Sequence, residues 1–116
     1  MKVFVYGSLR RKQGNSRWMT NAQWLGSYRL TGYDLYDVGL YPAAVPGEGI
    51  LEGEVYRIDS ATLQQLDDLK SAPREYQRQL VMTCWGRAWV YLYRRPIAHL
   101  KPIPSGDWIQ REHGDA

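Results

Sequence analysis

A chain of 116 residues, 44% hydrophobic and 23% charged, has the size and composition of one globular domain with its own core. Its net charge of +3 comes from Lys and Arg scattered along the chain, without the dense basic face of a nucleic-acid binder. No apolar run approaches the ~20 residues that span a bilayer, and the first residues lack the apolar stretch of a secretion signal. A single cysteine, Cys84, excludes an internal disulfide and suits a reducing compartment. The expectation is a cytoplasmic protein with neither nucleic acid nor membrane as partner.

Lys2 to Tyr6 is a short apolar run without a polar face, which predicts a strand covered on both sides. Gly7-Ser8 breaks it, since glycine reaches backbone angles closed to other residues. Backbone N–H groups left pointing outward there would seat a carboxylate or an oxyanion. Arg10-Arg11-Lys12 follows, either as a solvated turn or as a basic patch that concentrates a small anion beside the loop. Asn15 or Ser16 is placed to cap a short helix through about Thr20 to Ala22. Trp24 to Tyr36 reads as a strand with a bulge or bend at Thr31-Gly32. Tyr41 to Val45 is a short segment that its proline confines to an edge or a strand start, and Pro46-Gly47-Glu48-Gly49 reads as a turn. Ile50 to Ile58 is a strand in which Gly53 marks a close approach to the backbone. Asp59-Ser60 caps the clearest helix: Leu63, Leu66 and Leu69 form one apolar stripe, and Pro73 ends it. Tyr76 to Thr83 and Arg87 to Tyr93 form a hairpin through Cys84-Trp85-Gly86, with Cys84 read as packing. Pro102 to Asp107 is a loop and Trp108 to Glu112 a last helical turn. About six mostly consecutive strands with one main helix argue an α+β fold with a largely antiparallel, partly closed β-barrel. Residues 1–110 form a single domain and residues 111–116 a tail.

Four motifs occur in order: Tyr6-Gly7-Ser8-Leu9, Gly53-Glu54-Val55-Tyr56, Leu66-Asp67-Asp68 with Tyr76-Gln77-Arg78, and Ser105-Gly106-Asp107-Trp108. Together they cover nearly the whole chain and resemble the γ-glutamylcyclotransferase-like family, most closely its small bacterial YtfP-like branch. The resemblance implies a small, partly closed barrel whose first loop lines a cavity. It also implies intramolecular aminolysis: the α-amine of a γ-glutamyl amine or amino acid attacks the γ-carbonyl, giving 5-oxoproline and a free amine. Such chemistry needs a base for the α-ammonium, donors for the oxyanion and a curled substrate. It requires no metal or organic cofactor.

The chain departs from the family at the base. The catalytic Glu expected three residues after Asp67 is Lys70, and Tyr76-Gln77-Arg78 then follows in register. A protonated lysine accepts no proton, and at a helix C-terminus the dipole favours the charged form. Glu75, just across the Ser71-Ala72-Pro73-Arg74 turn, is the candidate catalytic carboxylate, with a solvated ion pair to Arg74 or Arg78 as the plain alternative. Adjacent strand residues face opposite ways, which argues against Glu75 and Tyr76 sharing one cavity. Glu54 reads as structural, and His99 and His113 as solvated. The expected substrate-binding set is Tyr6, Gly7, Ser8, Leu9, Lys70 and Tyr76. The partner is a small γ-glutamyl compound or another anionic metabolite, taken by a monomer or homodimer. In the alternative reading the protein is a catalytically silent relative in which Lys70 holds an anionic metabolite in the same pocket.

Overall fold

A computed structural model describes residues 1–7, 9, 10, 19 and 21–111. Ser8, Arg11, Lys12, the cap at Asn15 or Ser16, Thr20, Glu112, His113 and the rest of the tail lie outside the described residues. Six strands and one helix follow in chain order: β1 (Lys2–Val5), β2 (Gln23–Asp37), β3 (Pro42–Arg57), α1 (Ser60–Leu69), β4 (Tyr76–Thr83), β5 (Gly86–Tyr93) and β6 (Lys101–Pro102). The sheet order is β4-β5-β1-β3-β2-β6. Among the described residues only the β1–β5 pair is parallel; the other pairs are antiparallel, and the sheet curls into an open half-barrel.

The opening strand is covered on both faces because it is central. Phe4 faces one core with Leu51, Val55, Val90 and Trp108. Val3 and Val5 face a second core with Tyr56, Leu63, Leu66 and Tyr91, which α1 covers. This alternation explains why an apolar run with no polar side is a strand here. At Gly53 a Cβ would strike the Val5 carbonyl and, 2.5 Å away, the Phe4 ring, so the glycine lets β1 lie flat on β3. Asp59 caps α1 by accepting from the Thr62 N–H at 2.7 Å. Leu63 and Leu66 are buried while Leu69 keeps 36% exposure, so the stripe's last member sits at the helix's open end.

Several expectations are corrected. Pro46-Gly47-Glu48-Gly49 is not a turn: β3 runs through it unbroken. Tyr33 pairs with Pro46 and Thr31 with Ile50, so two residue steps on β2 oppose four on β3, and the turn-forming residues make a bulge. Asp34 holds that bulge by accepting from the Gly49 N–H at 2.9 Å. The expected irregularity at Thr31-Gly32 is present, with Gly32 at φ +96°. Cys84 is exposed rather than packed, because the Thr83–Gly86 pairing leaves Cys84-Trp85 as a two-residue turn. Trp108 to Arg111 forms a turn, not a helix, with the Arg111 N–H donating to the Trp108 carbonyl at 3.4 Å. No helix among the described residues is long and apolar enough to cross a membrane.

Candidate functional site

The site is built where the end of β1 meets the end of α1. After Val5 the chain turns, and the Arg10 N–H closes the turn on the Gly7 carbonyl at 3.0 Å. Gly7 is required by space rather than by backbone angle: its φ is not positive, but a Cβ would run into the Pro42 ring. Pro42 in turn accepts a hydrogen bond from the Tyr76 hydroxyl at 2.7 Å. The opening turn, the start of β3 and the start of β4 are thereby locked together.

Arg10 is neither a solvated turn residue nor a free anion attractant. Its side chain is half-buried, donating to Asp107 Oδ1 at 2.9 Å, to the Glu52 carbonyl at 3.2 Å and to Glu54 Oε2 at 3.5 Å. Glu54 Oε1 also takes the Tyr56 hydroxyl at 2.9 Å. The Gly53–Tyr56 and Ser105–Trp108 motifs thus share a task. Each supplies a carboxylate to the arginine that fixes the opening turn.

Helix α1 ends at Lys70, whose N–H bonds the Leu66 carbonyl at 2.9 Å, and Ser71 then adopts φ +51°, reversing the chain. The turn returns at Glu75, whose N–H reaches the Ser71 carbonyl and whose own carbonyl takes the Arg94 N–H, each at 2.9 Å. Glu75 therefore precedes β4 and escapes strand alternation, so it and Tyr76 line the same cleft, contrary to the strand-based expectation. Arg78 does not pair with Glu75. It makes a two-pronged bond to Asp67, at 2.7 and 3.0 Å, and Tyr91 donates to the same carboxylate at 2.7 Å. This clamp ties α1 to β4 and β5.

Two spaces meet at Lys70. The inner one, about 10 Å³, is bounded by Phe4, Val5, Tyr6, Gly7, Leu9 and Tyr91, with Lys70 as its outer wall. The outer one is a cleft of about 390 Å³. Val38 and Tyr41 enter it from the β2–β3 connection, Leu69 from α1, Ser71 and Glu75 from the turn, and Tyr76 and Tyr93 from the hairpin. The ammonium of Lys70 lies 5.1 Å from the centre of the Tyr76 ring and 6.0 Å from that of Tyr6. No carboxylate among the described residues ion-pairs with it. The residue as a whole keeps partial exposure, yet burial at its charged end pulls the pKa from 10.5 to about 8. The upward pull expected from the helix dipole is outweighed by lost hydration.

The tyrosines contribute ring faces rather than acid–base groups. Tyr6 donates its hydroxyl to the Tyr91 carbonyl at 2.6 Å, and burial, with Tyr76 beside it, holds its pKa well above the ordinary value. Burial, then Tyr93, Tyr41 and Glu75, raise that of Tyr76. Both phenols stay protonated at neutral pH. Among the described residues no group of three or more His, Cys, Asp or Glu side chains gathers around a common point.

The six expected residues that the structure describes thus fall in two groups around one lysine: Tyr6, Gly7 and Leu9 inside, Glu75 and Tyr76 outside. Val38, Tyr41, Leu69 and Tyr93 were not anticipated. The skew towards Tyr hinted at a half-polar pocket, but nothing local showed which tyrosines line it.

Comparison with known proteins places this architecture. Residues 3–110 match the family model "Gamma-glutamyl cyclotransferase, AIG2-like". The chain is 59% identical over 112 residues, covering 97% of it and 99% of the relative, to the "Gamma-glutamylcyclotransferase family protein YtfP" of Escherichia coli K12. The solution structure of the E. coli protein superposes with a TM-score of 0.81 over 95% of this chain and 97% of that one. An uncharacterised Pyrococcus horikoshii protein, 31% identical, superposes at 0.82 over 93% of this chain and 89% of its own. The human "Gamma-glutamylaminecyclotransferase" is 32% identical over 138 residues, covering 98% of this chain and 87% of its own. The chain belongs to the γ-glutamyl cyclotransferase, AIG2-like family.

Proposed function

We propose that the protein is a γ-glutamyl cyclotransferase-type enzyme that converts a γ-glutamyl amine or amino acid to 5-oxoproline. The observation that carries this reading is the Lys70 ammonium at the junction of the inner cavity and the cleft, which no carboxylate among the described residues pairs, with Glu75 on the same cleft. A γ-glutamyl compound brings a carboxylate and an ammonium on one carbon. Its carboxylate pairs with Lys70 and supplies the counter-charge that no described carboxylate provides. Its ammonium then meets Glu75, the candidate base.

Two protons must move from the attacking nitrogen to the departing one. Glu75 takes the first from the ammonium, and the freed amine attacks the γ-carbonyl, forming the ring C–N bond. Backbone N–H groups of the opening turn at Gly7 and Leu9, with Ser8 between them, stabilise the oxyanion. Glu75 hands the first proton to the leaving nitrogen, takes the second from the newly bonded ring nitrogen and passes it on in turn, and the intermediate collapses as the old C–N bond breaks. The cleft's contribution beyond proton transfer is to hold the chain curled.

Incubation with a panel of γ-glutamyl amines and amino acids should release 5-oxoproline, detected by mass spectrometry. Glu75→Gln should reduce the rate by roughly 10²–10⁴-fold, the usual weight of a positioned base. Lys70→Met should chiefly raise KM. Unchanged turnover in Glu75→Gln would remove Glu75 from the mechanism.

Lys70 at the family's base position favours a second reading, a silent relative that binds a small carboxylate. Saturable binding abolished by Lys70→Met, without turnover of any panel member, would select it.

A further inference from the structure

The inner cavity, at about 10 Å³, has room for a water-sized group only, so a ligand anchored on Lys70 must extend outward through the cleft. The walls it meets there are Val38, Tyr41, Leu69 and Tyr93, two aliphatic side chains and two aromatic rings. Lys70 is the only cation among the described residues lining this cleft, and Glu75 the only carboxylate. Both are already engaged by the amino-acid head of the substrate. A leaving group carrying its own carboxylate finds no second cation among the described lining residues. One carrying an ammonium competes with the head for Glu75 and is repelled by Lys70.

Resting on the cyclotransferase reading, we propose that the preferred substrates are γ-glutamyl amides of uncharged apolar or aromatic amines, whose leaving group packs between Tyr41, Tyr93, Leu69 and Val38. The wall is partly preformed. The Val38 N–H bonds the Tyr41 carbonyl at 3.1 Å, and the Gly39 N–H bonds Asp37 Oδ1 at 2.6 Å, so the β2–β3 connection is a held turn. Tyr41 keeps 46% of its surface exposed and Leu69 keeps 36%, leaving apolar area for a ligand to cover. Specificity of this kind is worth roughly 10–200-fold per apolar contact group.

The test separates recognition from chemistry by using probes that cannot cyclise. Glutaric acid monoanilide is the γ-glutamyl anilide skeleton without its α-amine; the mono(2-aminoethyl)amide carries a cationic tail instead. Calorimetry should show the monoanilide binding at least tenfold tighter than the aminoethyl amide. Tyr41→Ala should cut that ratio to below threefold, and Tyr41→Phe should preserve it. Equal affinities, or a ratio unmoved by Tyr41→Ala, would overturn the assignment. Turnover of γ-glutamyl anilide is read separately: if the monoanilide binds selectively yet no 5-oxoproline forms from the anilide, the cyclotransferase reading fails while the apolar subsite stands.

Discussion

Two half-buried cations flank the candidate site, Arg10 in the opening turn and Lys70 at the end of α1, and the fold treats them oppositely. Arg10 is surrounded: two carboxylates and a backbone carbonyl receive its guanidinium. Lys70 is left with two tyrosine rings and no carboxylate among the described residues. A buried charge whose partners come from the fold fixes that fold. A buried charge without them is costly, and the cost is recovered only when something from outside supplies the counter-charge. Arg10 thus belongs to the architecture, whereas the proposed function gives Lys70 to the ligand.

Removing each charge should break this contrast in opposite directions. Arg10→Met removes the cation that Glu54 and Asp107 share in a partly buried site and should destabilise the protein by roughly 3 kcal/mol, the range for breaking a buried pair. Chemical denaturation would measure it, and hydrogen exchange should show the Gly7–Arg10 turn loosening. Lys70→Met should instead raise stability at pH 7 by roughly 1–3 kcal/mol, since a pKa held below its unfolded value means that the charged form is disfavoured on folding. A loss of stability would mean that Lys70 has a partner in the fold.

The same shift fixes a pH dependence. Between about 8, the folded pKa of Lys70, and 10.5, its ordinary value, the unfolded chain binds the proton more tightly than the folded one. Stability from this group therefore rises with pH across that window, and the gap between wild type and Lys70→Met closes. Denaturation at pH 7 and pH 10 in both proteins reads the difference. The smallest effect belongs to Glu75→Gln. Glu75 is exposed, so stability should change by no more than about 0.5 kcal/mol while turnover collapses. A large stability change would make Glu75 a structural residue.

Much of the architecture was legible because local and global signals agreed. The β1 run, the Asp59-capped leucine stripe and the Tyr76–Tyr93 hairpin each carry a period or a cap that nothing contradicts. The long β3 was not, because Pro46-Gly47-Glu48-Gly49 has turn chemistry and only its pairing with β2 turns it into a bulge. Gly7 was singled out for a backbone freedom it does not use; a glycine is needed there because Pro42, far along the chain, crowds it. The site was half legible. Lys70 could be flagged from its position, but its lowered pKa depends on burial by Tyr6 and Tyr76, which no spacing reveals. The role of Arg10 required two carboxylates, from β3 and from the C-terminal turn, to meet at one guanidinium.

The central claim is that Lys70 waits for a carboxylate, and the direct measurement is an NMR titration of its side chain, through ¹³Cε and ¹⁵Nζ, with and without glutaric acid monoanilide. The free protein should titrate near 8, and saturation with the ligand should raise that value by at least one unit, because an ion-paired ammonium holds its proton more tightly. A free value at the ordinary 10.5, or a value near 8 unmoved by bound ligand, would contradict it.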